Sequence, residues 1–275
     1  MKSKTLAFIG CGNMAASLIN GLVADGYDPD KIMASDPDSE KLAHITSLCG
    51  IHSTTDNTEA VEFAQVLVIA VKPQALEQVA IGIAPAVQNS KPMVISIAAG
   101  VLEQDLENWL GGDVALVRTM PNTPAMIQVG ATVLHANSRV DSDQKDLAES
   151  ILRAVGLTQW VESESMIDVV TALSGSGPAY FFLVMEAMES AAVDLGLPAE
   201  TAHLLTLQTA LGAARMAMES SDTPATLRER VTSPGGTTEA ALQSFEDDGL
   251  RDIFLQALTK ARDRSIDLSK MLGNG

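Results

Sequence analysis

Leu6-Ala7-Phe8-Ile9-Gly10-Cys11-Gly12-Asn13-Met14-Ala15 decides the fold of this chain. Four apolar residues in a row read as a buried strand, and they run straight into a G-x-G-x-x-A. Gly10 permits a tight turn, Gly12 lets the backbone approach a pyrophosphate, and Ala15 lets the following helix pack closely on the strand. Ala15, Leu18, Ile19, Leu22 and Val23 then recur at helical spacing, and Gly26 closes that helix. A strand, this loop and an amphipathic helix in that order make the dinucleotide-binding unit of an open parallel sheet.

Working outward, Ile32-Met33-Ala34 is a second strand, and it ends at Ser35-Asp36. An acidic residue at about this spacing grips the ribose 2′-hydroxyl of NAD. Ser35 can equally hydrogen-bond a 2′-phosphate, and Asp36 can be a turn residue before Pro37. Leu42, Ile45 and Leu48 mark the next helix, and Asp56-Asn57 caps another. Continuous apolar runs at Val66–Val71, Met93–Ala98 and Val114–Met120 are the kind that parallel sheets bury on both faces. Gly130–Ala136 and Leu157–Val161 add strands around a helix capped by Asp141-x-x-Gln144, whose Leu147, Ile151 and Val155 face the sheet. Such sheets bind ligands beyond the carboxyl ends of their strands. Gly10, Gly12, Asn13, Met14, Ser35, Asp36, Val71, Lys72, Ala98, Pro121 and Asn122 should therefore line one crevice.

From about Ser163 no strand is expected, which places a Rossmann-type doubly wound domain at 1–162 and an all-α domain at 163–275. Ile167–Leu173 reads as a helix broken by Ser174-Gly175-Ser176-Gly177-Pro178, with Pro178 in the first turn of a long helix to about Leu195. Its polar stripe is narrow: Glu186, Glu189, Ser190 and Asp194. The helix from Ala199 to Met218 is also apolar most of the way round. A domain of about 110 residues has little interior for two such helices, so they are expected to pack against a second copy of the chain. A last helix from Leu250 is amphipathic through Ile253, Phe254, Ala257, Leu258 and Ala261.

Within the helical half, Ser233-Pro234-Gly235-Gly236-Thr237-Thr238 joins a double glycine to a helix start. The first amide N–H groups of a helix lack internal partners and favour a carboxylate or phosphate. A plain cap is the alternative reading.

Composition narrows the partners. A formal charge of -17 argues against nucleic acid and anionic membrane surfaces, which need basic patches. The apolar Leu204–Met218 run is interrupted by Gln208 and Arg215 and falls short of a membrane span. Met1-Lys2-Ser3-Lys4 and the apolar run after it outline a signal peptide, but the run is too short, so no targeting segment is expected. Cys11 and Cys49 make no disulfide framework and suit a reduced, cytoplasmic setting. His44, His52, His135 and His203 lack metal-ligand spacing, so no metal is expected.

A nicotinamide crevice and an anion site suggest an oxidoreductase acting on a small carboxylate. Oxidising a hydroxy acid usually needs a positioned lysine or histidine base. No lysine lies between Lys145 and Lys260, and His203 stands alone in that half. Reducing an electrophilic C=N bond needs only a bound carboxylate, a hydride at about 3 to 3.5 Å and a hydroxyl or water near the nitrogen. The inventory prefers an imine.

Phe8-Ile9-Gly10-Cys11-Gly12-Asn13-Met14, Val71-Lys72-Pro73, Met120-Pro121-Asn122-Thr123-Pro124, Ser174–Tyr180 and Ser233–Thr238 together resemble pyrroline-5-carboxylate reductase, in order and along essentially the whole chain. The resemblance implies reduction of 1-pyrroline-5-carboxylate to proline by NADPH, with NADH possible, in a homodimer or a ring of dimers. It implies that Ser233, Gly235, Gly236, Thr237 and Thr238 hold the substrate carboxylate, with Thr238 hydrogen-bonded to the ring nitrogen. By the same similarity Ala98, Pro121 and Asn122 border the nicotinamide, and Ser35 and Asn57 the adenosine ribose. Asp36, with no arginine beside it, departs from an ideal phosphate pocket. A hydroxyacid dehydrogenase of similar build and a non-catalytic dinucleotide-binding dimer are the other readings.

Overall fold

The computed structural model describes residues 4–273, so the first three residues of the lysine-flanked opening lie outside it. The described residues form two compact units, one up to Ser176 and again from Ala261, the other Gly177–Lys260.

In the first unit the elements run β1 (Leu6–Ile9), α1 (Asn13–Ala24), β2 (Ile32–Ser35), α2 (Ser39–Cys49), β3 (His52–Thr54), α3 (Asn57–Phe63), β4 (Val66–Ile69), α4 (Pro73–Ser90), β5 (Met93–Ser96), α5 (Glu103–Trp109), β6 (Leu116–Met120), β7 (Gly130–Ala136), α6 (Ser142–Arg153), β8 (Gly156–Trp160) and α7 (Met166–Val170). They make one sheet in the order β3-β2-β1-β4-β5-β6-β7-β8. Alternate residues of β1, β2, β4 and β5 feed two cores. Leu6, Phe8, Ile32, Val68 and Ile95 pack on one face with Leu18, Ile19 and Ile45, while Ala7, Ile9, Leu67 and Ile69 pack on the other with Leu76, Ile83 and Leu106.

Four details depart from the sequence reading. Strand β7 runs antiparallel to β6. The link between them, with a 3₁₀ turn at Thr123–Ile127, is too short for the crossover a parallel neighbour requires. Strand β3 is an added edge strand whose polar His52-Ser53-Thr54 carries no apolar signal. Leu48 is exposed, and Cys49 takes the buried position on α2. The fourth concerns Ser174–Pro178, which does not break the helix. Thr171–Gly175 forms a π turn, with Ser176 N–H donating to Thr171 O at 2.8 Å, and the helix resumes at Gly177. The expected boundary at 162/163 accordingly differs from the compact division at 176/177. Helix α7 stays with the sheet because Ile167 is buried and Asp168 accepts from Ser265 Oγ at 2.7 Å, both within the first unit.

The second unit is helical throughout: α8 (Gly177–Asp194), α9 (Ala199–Glu219), α10 (Pro224–Arg230), α11 (Thr237–Asp247) and the first half of α12 (Leu250–Leu272). Helices α8 and α9 bury almost nothing within the chain. Phe181, Phe182, Leu183, Leu204, Leu205 and Leu211 are each more than half exposed. The expected stripe on the last helix is open too, at Ile253 and Phe254. The helical run Met166–Asp194 is long and apolar enough to cross a membrane: an 18-residue stretch of it has a mean hydropathy of 1.4, and only 22% of that stretch is buried.

Candidate active site

In the first unit β1, β2, β4, β5 and β6 are mutually parallel, so their carboxyl ends share one edge of the sheet. Gly10 makes the turn there. Its φ of +93° and the 2.9 Å that a Cβ would leave to the Ala70 carbonyl both exclude a side chain. Its N–H donates to Ser35 O at 2.7 Å, tying the ends of β1 and β2. Gly12 and Asn13 are exposed, Met14 is half-buried and Ala15 is buried. A Cβ on Gly12 would meet nothing within 4 Å, and no side chain caps α1. The helix therefore opens its free amides onto empty space, which fits a pyrophosphate.

Asp36 turns inward. It is only 7% exposed, with Oδ2 accepting from Cys11 N–H at 2.8 Å and Oδ1 from Asp38 N–H at 2.9 Å. Lys41, which the sequence reading did not single out, lies 3.7 Å from Asp36 Oδ1 and 3.5 Å from Asp38 Oδ2. Backbone N–H bonds from Lys41 and Glu40 hold the Asp38 carboxyl below its usual range. Burial, followed by the Asp36 charge, pushes the Cys11 thiol up, so the glycine loop carries a neutral thiol. Ser35 is fully buried and donates its hydroxyl to Asn57 Oδ1 at 2.7 Å.

Along the rest of the edge, Val71 is half-buried and Lys72 exposed at the start of α4. Ala98 and Pro121 are buried. Asn122 Oδ1 accepts from Ala131 N–H at 2.8 Å, and its Nδ2 donates to Ser174 O at 3.1 Å, so this side chain fastens the end of β6 to the π turn. Behind the edge sits a charged cluster that sequence reasoning missed. Buried Arg118 pairs with Glu164 at 2.6 Å, Glu164 also accepts from Glu103 N–H at 2.7 Å, and His135 Nδ1 lies 3.1 Å from Glu103 Oε2. Burial and the nearby Glu164 charge raise the Glu103 carboxyl. Arg118 and His135 are cross-strand partners, a pairing fixed by register and invisible in a linear reading. No group of three or more potential metal ligands occurs among the described residues.

In the second unit Gly235 has a φ of +71°, and Gly236 N–H closes a turn onto Ser233 O at 3.0 Å. Gly236 precedes α11 with no side-chain cap. The amides of Thr237, Thr238 and Glu239 therefore have no backbone acceptor in the first turn. Thr238 is half-buried and its neighbours Ser233, Gly235 and Thr237 are exposed. Glu239 reaches back, accepting from Gly235 N–H at 2.7 Å through Oε2, which locks the left-handed turn. A resident carboxylate thus takes one donor of the loop and leaves the helix amides open.

A family model described as pyrroline-5-carboxylate reductase dimerisation matches residues 164–268, and one described as NADP oxidoreductase coenzyme F420-dependent matches residues 5–100. Pyrroline-5-carboxylate reductase of Pseudomonas aeruginosa is 51% identical over 273 residues, 99% of this chain and 100% of that one. The solved pyrroline-5-carboxylate reductase of Coxiella burnetii superposes with a TM-score of 0.94 at 50% identity, covering 98% of this chain and 99% of that one. The Plasmodium falciparum pyrroline carboxylate reductase, solved with NADP bound, gives 0.85 at 28% identity, over 98% and 99% of the two chains.

Proposed function

The chain belongs to the pyrroline-5-carboxylate reductase family, the NAD(P)-dependent oxidoreductases of the last step of proline synthesis, and we propose which of its residues carry that reaction. The bound cofactor supplies the hydride that reduces the C=N bond of 1-pyrroline-5-carboxylate. The reaction needs besides one proton for the ring nitrogen, taken from solvent, and the rest is positioning and charge, which this chain provides.

Gly10, Gly12, Asn13 and Met14 hold the pyrophosphate, with Ala15 keeping α1 close to the sheet. Asp36 acts on that loop by fixing the Cys11 amide. Asn57, oriented by the buried Ser35 hydroxyl, meets the adenosine ribose, Val71 and Lys72 flank the dinucleotide, and Ala98, Pro121 and Asn122 border the nicotinamide. NADPH is the preferred carrier, with NADH usable; the Plasmodium relative solved with NADP supports this choice. The open amides of Thr237 and Thr238, in the loop shaped by Ser233, Gly235 and Gly236, hold the substrate carboxylate. The Thr238 hydroxyl hydrogen-bonds the ring nitrogen as that nitrogen gains a proton, where one well-placed donor acts on developing charge.

The match to the dimerisation model and the bare faces of α8 and α9 support self-association as a homodimer or a ring of dimers. Glu186, Glu189 and Asp194 on α8 argue that a second copy, rather than a bilayer, covers the apolar run. Both cysteines are free and buried, which suits the reducing cytoplasm.

The observation that carries this reading is the full-length 51% match, with the glycine loop of the first unit and the SPGG loop of the second both present. Incubating the protein with 1-pyrroline-5-carboxylate and NADPH or NADH should oxidise the cofactor and yield proline. Turnover of hydroxy acids with the oxidised cofactor, and none of the pyrroline, would overturn it.

A further inference from the structure

We propose that Lys41 selects NADPH over NADH, by lending a ribose 2′-phosphate the counter-charge that the strand end otherwise lacks. The inference rests on the crevice being a nicotinamide-nucleotide site. In a sheet of this order the adenosine ribose lies beyond the end of the second strand, here Ser35 of β2. A 2′-phosphate at that position is an anion and needs a cation.

The residues immediately at the strand end do not supply one. Ser35 is fully buried and its hydroxyl hydrogen goes to Asn57 Oδ1. Asp36 spends both oxygens on the Cys11 and Asp38 amides, so its carboxylate neither grips the ribose hydroxyls nor withdraws its negative charge from the neighbourhood. Asp38, held in its ionised form by the first amides of α2, adds a second negative charge. Without a cation this corner repels a phosphate and favours the uncharged ribose of NADH.

Lys41 offsets one of those two charges and offers donors of its own. Its side chain is 52% exposed, against 9% for Asp36, and its ammonium stands within 4 Å of both carboxylates. An ammonium has three donors on a flexible four-carbon stem, so it can keep its carboxylate contacts and still point a proton at an incoming phosphate. The spacing follows from local sequence. Asp38 caps α2, and a residue at i+3 lies over the cap, which brings Lys41 back to the strand end.

The test is nucleotide binding, read by calorimetry or by nicotinamide fluorescence, on wild type, Lys41→Ala and Lys41→Arg. The ligands are NADPH, NADH, adenosine 2′,5′-bisphosphate and adenosine 5′-monophosphate. Lys41→Ala should weaken NADPH and the 2′,5′-bisphosphate by roughly tenfold, the scale of one well-placed charge pair. NADH and the monophosphate should stay within about twofold, because they present no group to Lys41. Lys41→Arg should keep the preference. Raising salt should erode the NADPH preference of wild type and shift Lys41→Ala the other way, because there it screens only the repulsion by the two carboxylates. Equal loss for both nucleotides, or no loss for either, would overturn the assignment. Wild-type protein binding none of the four would instead overturn the nucleotide site itself.

Discussion

Thr238 and Glu239 are neighbours at the start of α11, yet their substitutions should fail differently. Thr238→Ala removes a donor that acts only as the ring nitrogen is protonated, so kcat should drop by roughly 10² to 10³ while cofactor affinity holds. If Thr238 served only as part of the helix start, the loss would instead be about 0.5 to 2 kcal/mol of stability with kcat near normal. Glu239→Ala frees the Gly235 amide and unlocks the turn, so KM for the pyrroline should rise. Glu239→Gln keeps an acceptor but drops a charge facing an anionic substrate, so its KM should fall below that of wild type. Steady-state kinetics in which Ala and Gln behave alike would remove Glu239 from the arrangement. Asp36→Ala presents a third pattern. It leaves the Cys11 amide without its acceptor, which should cost about 1 to 3 kcal/mol and weaken both nucleotides, NADPH less than NADH because a charge that repels its 2′-phosphate is lost as well. A carboxylate facing the ribose would change only the ratio of the two, and paired titrations distinguish the cases.

At the scale of elements, two clamps hold the sheet's ends. Asn122 ties β6 to β7 and to the π turn, and a π turn survives only where its displaced carbonyls find partners. Asn122→Ala should lower the melting temperature, and Asn122→Asp, which keeps the acceptor for Ala131 but loses the donor to Ser174, should recover part of it. Glu149 clamps α6 to β8: it accepts from Trp160 Nε1 at 3.0 Å and pairs with Arg153. The Trp160 bond leads in pulling the Glu149 carboxyl below its ordinary 4.5. A depressed carboxyl stabilises the fold above its unfolded pKa, and that contribution is lost as pH falls through the folded one. Melting curves of Glu149→Gln should therefore converge with wild type in acid and fall below it above pH 4.5. Parallel curves across the range would show that the clamp has no titrating part. Neither clamp is readable from spacing, because Asn122 resembles any turn former before a proline and Glu149 any exposed helix carboxylate.

For the whole molecule the decisive surface is the apolar pair α8 and α9. Full-length protein should sediment as a dimer or a larger assembly. Leu205→Glu, which places a charge where Leu205 is 56% exposed in the single chain, should shift it toward monomer. An unchanged sedimentation profile would mean that another face joins the copies. Dissociation should also lower activity, since two helices stripped of their cover are unfavourable in water.

Period and punctuation in the sequence determined the Rossmann-type sheet, the glycine loop, the helical second half and the SPGG helix start. Each of these is a local pattern: apolar runs of strand length, glycine where the backbone must turn, and a proline or cap at a helix start. The family resemblance was legible for the same reason, because its motifs are contiguous. Only the tertiary structure decided that β7 turns back beside β6, that Thr171–Gly175 widens into a π turn so that the helix resumes at Gly177 instead of breaking, and that Asp36 serves the glycine loop. It alone brought Arg118 to Glu164 and Lys41 over two carboxylates. A charged side chain has no period. Its role is set by which groups the packed backbone brings within about 4 Å, and that distance is a property of the fold.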